Sequence, residues 1–213
     1  MNARPKSDAR QKLLDAAIKV IREKGYSAMR VEDICATAGL TKGAFFHHFK
    51  GKEDFAVAAA HYWSEMTGQF FAHAPYHHHS DPLDRVLGYI DFRKAILRGS
   101  LPEFTCLVGT MVQEAYDTNP DIRDACNASI SGHAAEVEKD IAKAKELYAP
   151  DADWSAESLA LYTQAVIQGA FILAKARQGP EVAADCIDHL KRYVECLFNR
   201  DSTGSTRDDP SPT

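Results

Sequence analysis

Four histidines, His73, His77, His78 and His79, crowd one short stretch, with Tyr76 among them and Asp81 close behind. Imidazole clusters bind transition metals, so the chemistry they would support is a metal site in a helical enzyme. Adjacent histidines rarely converge on one ion unless the fold sets carboxylates beside them, and a solvated loop between helices is the expectation. The five cysteines, Cys35, Cys106, Cys126, Cys186 and Cys196, form an odd set with no C-x-x-C spacing. That fits neither a disulfide framework nor a zinc knuckle, so free thiols are expected. The chain contains no G-x-S-x-G, no H-E-x-x-H and no phosphate-binding loop. We therefore expect no enzyme, no cofactor and no metal.

A different chemistry is written between Val31 and His48. Val31, Ile34 and Cys35 fall on one face of a short helix, Gly39 tolerates the positive φ of a turn, Leu40 is apolar, and Thr41 can cap a following helix. This is a helix-turn-helix layout. The second helix presents Lys42, Gly43, Ala44, Phe46 and His47 near its start, where small and polar groups can approach base edges in a major groove, while Phe45 and Phe49 face inward. Gly51 and Lys52 open a further helix whose free N–H groups suit a phosphate. Arg30 stands at the start of the preceding helix, and Arg4, Lys6 and Arg10 form a basic arm.

These residues need elements to hold them. The chain has 213 residues, 45% hydrophobic and 26% charged, close to ordinary globular averages, which excludes wholesale disorder and collagen-like repeats. The net charge of -5 hides a partition. Residues 1–52 carry 11 Lys and Arg against 5 Asp and Glu, net +6, and the remainder carries 14 against 25, net -11. A basic block on an acidic body suits a DNA-contacting module joined to a body that does not touch DNA. Nine prolines divide the rest into segments each long enough for one helix. Apolar spacing of three to four predicts helices over 7–24, 30–37, 41–48, 52–73, 83–98, 103–117, 120–148, 155–178 and 181–199. The polar tail 201–213 is expected to be disordered. No apolar run approaches the roughly 18 to 20 residues of a membrane span, so the expectation is no membrane and a cytoplasmic location.

The residues Leu14, Ala17, Gly25, Tyr26, Val31, Ile34, Cys35, Ala38, Gly39, Leu40, Thr41, Gly43, Phe46, His48, Phe49, Lys52 and Phe55 together resemble the N-terminal pattern of the TetR family of transcriptional regulators. The resemblance implies an all-α fold: a three-helix helix-turn-helix domain over 1–52, and a helical ligand-binding and dimerisation domain over 53–200. It sets Arg30, Thr41, Lys42, Ala44, Phe46, His47, His48 and Lys52 at or near DNA. Two positions depart from the family pattern. Phe46 stands where a phosphate-contacting Tyr is usual, and Met29 where a capping Thr or Ser is frequent.

The expected function is a ligand-responsive regulator, a homodimeric repressor that a small-molecule effector releases from a palindromic double-stranded DNA operator. Two-fold symmetry makes each subunit read one half-site. An effector pocket would draw on Phe70, Tyr89, Phe92, Phe104, Cys106, Met111, Tyr162 and Phe171, although an aromatic at helical spacing is core by default. The last two helices carry Tyr162, Val166, Gly169, Ala170, Leu173, Ile187, Leu190, Val194 and Leu197, which the resemblance implies form a four-helix dimer interface. Burial of both faces within one chain is the alternative. The stretch Cys106-Leu-Val-Gly109 is similar to a cysteine-containing subgroup with electrophile-responsive members, so a thiol-based sensor is the alternative function. A helix N-terminus would favour the thiolate of Cys106, and Glu103 opposes it.

Overall fold

The computed structural model describes residues 6–200. The arm residue Arg4 and the tail 201–213 lie outside the described residues. Among the described residues ten α-helices follow one another: α1 (Lys6–Lys24), α2 (Val31–Ala38), α3 (Lys42–His48), α4 (Lys52–Ala72), α5 (Pro82–Ala95), α6 (Leu101–Phe104), α7 (Leu107–Ala115), α8 (Pro120–Tyr148), α9 (Ala156–Arg177) and α10 (Glu181–Leu197), with a 3-10 turn at Pro75–His78. No strand occurs among the described residues, so the all-α class is observed.

Proline and glycine punctuate the chain as their backbones require. Pro82 and Pro120 are the first residues of their helices, where the missing N–H costs nothing. Gly25 at φ 83° ends α1 and Gly39 at φ 65° ends α2, a left-handed conformation that a side chain would strain. Elsewhere the structure departs from the periodicity. The single helix expected over 103–117 is two, because Thr105 (ψ 161°) and Cys106 (ψ 127°) are extended. The Thr105 hydroxyl turns back onto the Leu101 carbonyl at 2.8 Å, and the Cys106 sulfur accepts the Gly109 N–H at 3.4 Å. Apolar spacing is blind to such side-chain caps.

The chain packs as two units. One comprises residues up to Phe71 together with Gly99–Gly132, and the other Ala72–Arg98 together with residues from His133 onward. In the first, Leu13, Leu14, Ala17 and Ile21 of α1 meet Ile34, Phe45, Phe49 and Phe55, and the cluster continues through Leu107, Met111, Ile122 and Cys126. The core joins residues on both sides of the 52/53 division read from the sequence, since α4 and α7 share it with α1, α2 and α3. In the second unit α10 packs on both α5 and α9. Its inward residues are Ala183, Ile187, Leu190 and Val194, a single stripe at helical spacing.

By length and composition α9 is apolar enough to cross a membrane, with mean hydropathy 1.3 over its best window, 44% of which is buried. Its apolar character has two sources: an inward face that includes Leu159, Ile167 and Phe171, and an outward set of Leu161, Tyr162, Ile172 and Leu173.

Candidate functional site

The helix-turn-helix is held from beneath. Phe45 is fully buried and Phe49 nearly so, and their rings pack on Phe55 at 5.1 and 4.9 Å between centroids. These contacts fix the roll of α3, so the opposite face must look outward. Thr41 caps α3 by accepting the Ala44 N–H at 3.2 Å. Lys42, Phe46 and His47 are exposed, Phe46 at 57%, and Ala44 and His48 are half-buried. Phe46 has no hydroxyl with which to bond a phosphate.

The start of α2 is braced differently from a Ser or Thr cap. Met29 is buried in the core, Arg30 is the N-cap without a side-chain bond, and Asp33 reaches back to accept the Arg30 N–H at 3.1 Å. Asp33 also pairs with Lys24 at 2.8 Å. That hydrogen bond, with the one from Arg30, holds its carboxyl below the usual range. Glu32 is held low by its bond to Lys42, an ion pair that joins α2 to α3 across the turn.

Lys52 does not stand free at the start of α4. Its Nζ donates to the Ser27 carbonyl at 3.0 Å and lies 4.6 Å from the centre of the Tyr26 ring. The Ser27 N–H in turn donates to Glu114 Oε2 of α7 at 2.6 Å. A Cβ at Gly25 would collide with the Glu114 carboxylate, so this turn and α7 are fitted to one another. No local pattern marks this brace, because Glu114 is 87 residues from Ser27.

The eight effector-pocket candidates separate. Phe70, Phe104, Cys106 and Met111 belong to the first unit, and Tyr89, Phe92, Tyr162 and Phe171 to the second. Phe70 and Tyr162 are exposed, because each projects from the outer side of its helix, whereas Tyr89, Phe104, Met111 and Phe171 are buried. A cavity of about 520 Å³ in the first unit, lined by Arg10, Leu14, Val57, His61, Tyr62 and Glu65 among others, includes none of the eight. In the second unit Tyr89 Oη lies 3.0 Å from His133 Nε2 and accepts a hydrogen bond from Gln164 Nε2 at 3.0 Å. Burial, reinforced by the positive charge of Arg93, pushes His133 down to about 3. Sequence reading missed His133, Gln164 and Arg93 because single polar residues on apolar helices carry no pattern.

Among the dimer candidates, Tyr162 and Leu173 are exposed and Val166, Gly169 and Leu197 half-buried. Ala170, Ile187, Leu190 and Val194 are buried within the chain itself, at 0–2% exposure. The outward apolar set is Leu161, Tyr162, Ile172, Leu173 and Tyr193, with the Tyr162 and Tyr193 rings tilted against each other at 5.1 Å between centroids.

Cys106 is half-buried. Near it, Arg22 lies 5.0 Å from the centre of the Trp63 ring, and its Nε has no hydrogen-bond partner. Burial pulls its pKa down to about 10 against the opposing charges of Cys106 and Glu103. Cys126 is pushed up to about 12 by burial, an inert packing thiol. His73, His77, His78 and His79 are exposed. No group of three or more His, Cys, Asp or Glu among the described residues is arranged to hold a metal.

Residues 13–59 match the family of bacterial regulatory proteins, tetR family, and residues 82–190 match the tetracyclin repressor-like C-terminal domain. The HTH-type transcriptional repressor NemR of Escherichia coli strain K12 is 24% identical over 196 residues, covering 91% of this chain and 98% of that protein. The HTH-type transcriptional repressor DhaR of Mycobacterium sp. strain GP1 is 24% identical over 176 residues, 83% of this chain and 87% of that protein. Among solved structures, a TetR regulatory protein from Rhodobacter sphaeroides superposes with a TM-score of 0.77 at 25% identity, covering 87% of this chain and 98% of that one. The reduced form of E. coli NemR superposes at 0.75 with 23% identity, over 87% and 96% of the two chains. With the helix-turn-helix geometry and both halves matched, the chain belongs to the TetR family of bacterial transcriptional regulators.

Proposed function

We propose that the protein is a homodimeric, cytoplasmic repressor that binds a palindromic operator through α3 and leaves it when a small effector occupies the second unit. The observation that carries the reading is the face of α3: Lys42, Phe46 and His47 turned outward over a floor of Phe45 and Phe49. Arg30, Thr41, Ala44, His48 and Lys52 complete the proposed contact, Lys52 by exchanging the Ser27 carbonyl for a phosphate. Tyr89, Phe92 and Phe171 remain effector candidates. The outward apolar set on α9 and α10 is the proposed dimer surface, since Leu161, Tyr162, Ile172, Leu173 and Tyr193 are each more than two-fifths exposed. Selection of bound duplexes from a random pool tests this reading. Enrichment of an inverted repeat supports it, and a pool without consensus refutes it.

A second reading, a thiol sensor at Cys106, is favoured by the position of the sulfur at the start of α7 with Arg22 within electrostatic reach. Labelling with N-ethylmaleimide should then abolish operator binding in the parent and spare Cys106→Ser. Equal loss in both proteins would dismiss it.

A further inference from the structure

Ser27 stands in the turn between α1 and α2, and both of its backbone groups are committed to other helices. Its N–H donates to Glu114 Oε2 of α7 at 2.6 Å, and its carbonyl accepts from Lys52 Nζ at the start of α4 at 3.0 Å. The centre of the neighbouring Tyr26 ring lies 4.6 Å from the same ammonium. Two residues beyond Ser27, the buried Met29 donates its N–H to the Tyr26 carbonyl at 3.3 Å, and Arg30 follows as the N-cap of α2. This one turn therefore sets both the ammonium of Lys52 and the start of α2.

Glu114 is not explained by its own helix. It lies in the last turn of α7, at the negative end of the helix dipole, where a carboxylate is disfavoured. A Cβ at Gly25 would collide with that carboxylate, so glycine alone permits so close an approach to the turn, and its φ of 83° sets the same requirement. A hydrogen bond to an ionised acceptor is roughly twice as strong as a neutral one, which makes Glu114 a firm anchor for the Ser27 N–H. Lys52 has the opposite character. Its ammonium is a point charge on a flexible four-carbon stem, and meeting a phosphate through it means ordering that stem. A turn that already holds the ammonium removes most of this ordering from the binding step.

We propose that Glu114 is a positioning residue for the DNA contact: through the Ser27 backbone it holds Lys52 where a phosphate meets it. This rests on the reading above that Lys52 meets a phosphate. An ammonium has three donors, so one passes from the Ser27 carbonyl to the phosphate while the Tyr26 ring keeps its hold on the charge. The sign of the effect separates position from charge. Taking a carboxylate out of the first unit lessens repulsion of phosphates, so charge alone makes every neutral substitution at Glu114 bind DNA more tightly. Loss of position makes Glu114→Ala bind more weakly.

The test titrates the full-length protein by anisotropy into the selected inverted repeat and into a duplex of shuffled sequence, since a phosphate contact acts on both alike. Lys52→Ala comes first: weaker binding to both duplexes, with a salt slope flatter by about one per protomer, sets Lys52 on a phosphate. Glu114→Ala should then weaken binding about threefold to tenfold per protomer, the scale of ordering one long side chain. Glu114→Gln, which keeps an acceptor oxygen for the Ser27 N–H, should recover most of the affinity. In the Lys52→Ala background Glu114→Ala should weaken binding no further, because the side chain it positions is gone. Urea midpoints establish that each variant is folded during the titration. Should Glu114→Ala fail to fold, Glu114→Asp serves, with the same loss expected: it keeps the charge but is one methylene too short to hold Ser27. An equal loss in both backgrounds overturns the proposal, as do unchanged or tighter binding by Glu114→Ala and a Glu114→Gln that falls as far as the alanine variant. A silent Lys52→Ala removes the phosphate reading and the proposal with it, so the two failures are told apart by the first titration.

Discussion

In the proposed contact with DNA, Lys42 is the residue most visibly constrained, because Glu32 already holds it. Both side chains are 58% exposed, and such surface pairs contribute at most about 1 kcal/mol, so a phosphate can displace the carboxylate. Glu32→Gln releases Lys42 and removes a negative charge beside the proposed DNA surface. Operator affinity should rise about twofold to fivefold, with a steeper dependence on salt, read by fluorescence anisotropy at several ionic strengths. An unchanged affinity would take Lys42 off the DNA surface. His133 gives a prediction of a second kind. Its folded pKa of about 3 lies below the ordinary 6.5, so the unfolded chain binds the proton that the folded chain refuses. Stability contributed by the neutral ring is therefore complete above pH 6.5 and is lost as pH falls toward 3, by up to about 1.4 kcal/mol per unit. His133→Gln should flatten that loss in urea midpoints measured between pH 7 and 4.5. A slope matching the parent would assign the acid sensitivity to other groups.

At the scale of elements, the short helix α3 depends on its ends more than on its length, since seven residues cannot hold a helix alone. Thr41→Ala removes the hydrogen bond to the Ala44 N–H and should lower unfolding free energy by about 1 kcal/mol, while Thr41→Ser should retain most of it. Equal midpoints for the parent and the alanine variant in guanidinium would show the cap to be idle. This end, the Gly39 turn and the inward set of Ile34, Phe45 and Phe49 were all legible in the sequence, because each is a local signal of residue type and spacing. The break at Thr105 was not, since it depends on a hydroxyl and a sulfur folding back on the chain. The brace from Glu114 to Ser27 and the cluster of Tyr89, His133 and Gln164 were equally hidden, for they join residues 44 to 87 positions apart. On α10 the periodicity found the right stripe, but spacing cannot say whether a stripe meets its own chain or a second copy. Ile187, Leu190 and Val194 meet their own.

At the scale of the whole molecule, two reading heads must be joined for a palindrome to be read, and Gly169 offers a clean probe of the joint. A Cβ there meets nothing within 4 Å in the chain. The isolated subunit should therefore accept Gly169→Glu, with a gain in helix propensity of about 0.5 kcal/mol or more. A charge on the outward side of α9, beside Leu173, should convert the proposed dimer into monomers in sedimentation velocity without lowering the unfolding midpoint. A dimer that survives would move the interface off α9. The central claim is sequence-specific binding by a pair of α3 helices, and one titration tests it most directly. The full-length protein is titrated by anisotropy into the selected inverted repeat and into a shuffled duplex of the same composition, at physiological salt. The account predicts two protomers per repeat and a preference of about a thousandfold or more over the shuffled duplex. Equal affinity for the two duplexes, or one protomer on an intact repeat, would contradict it.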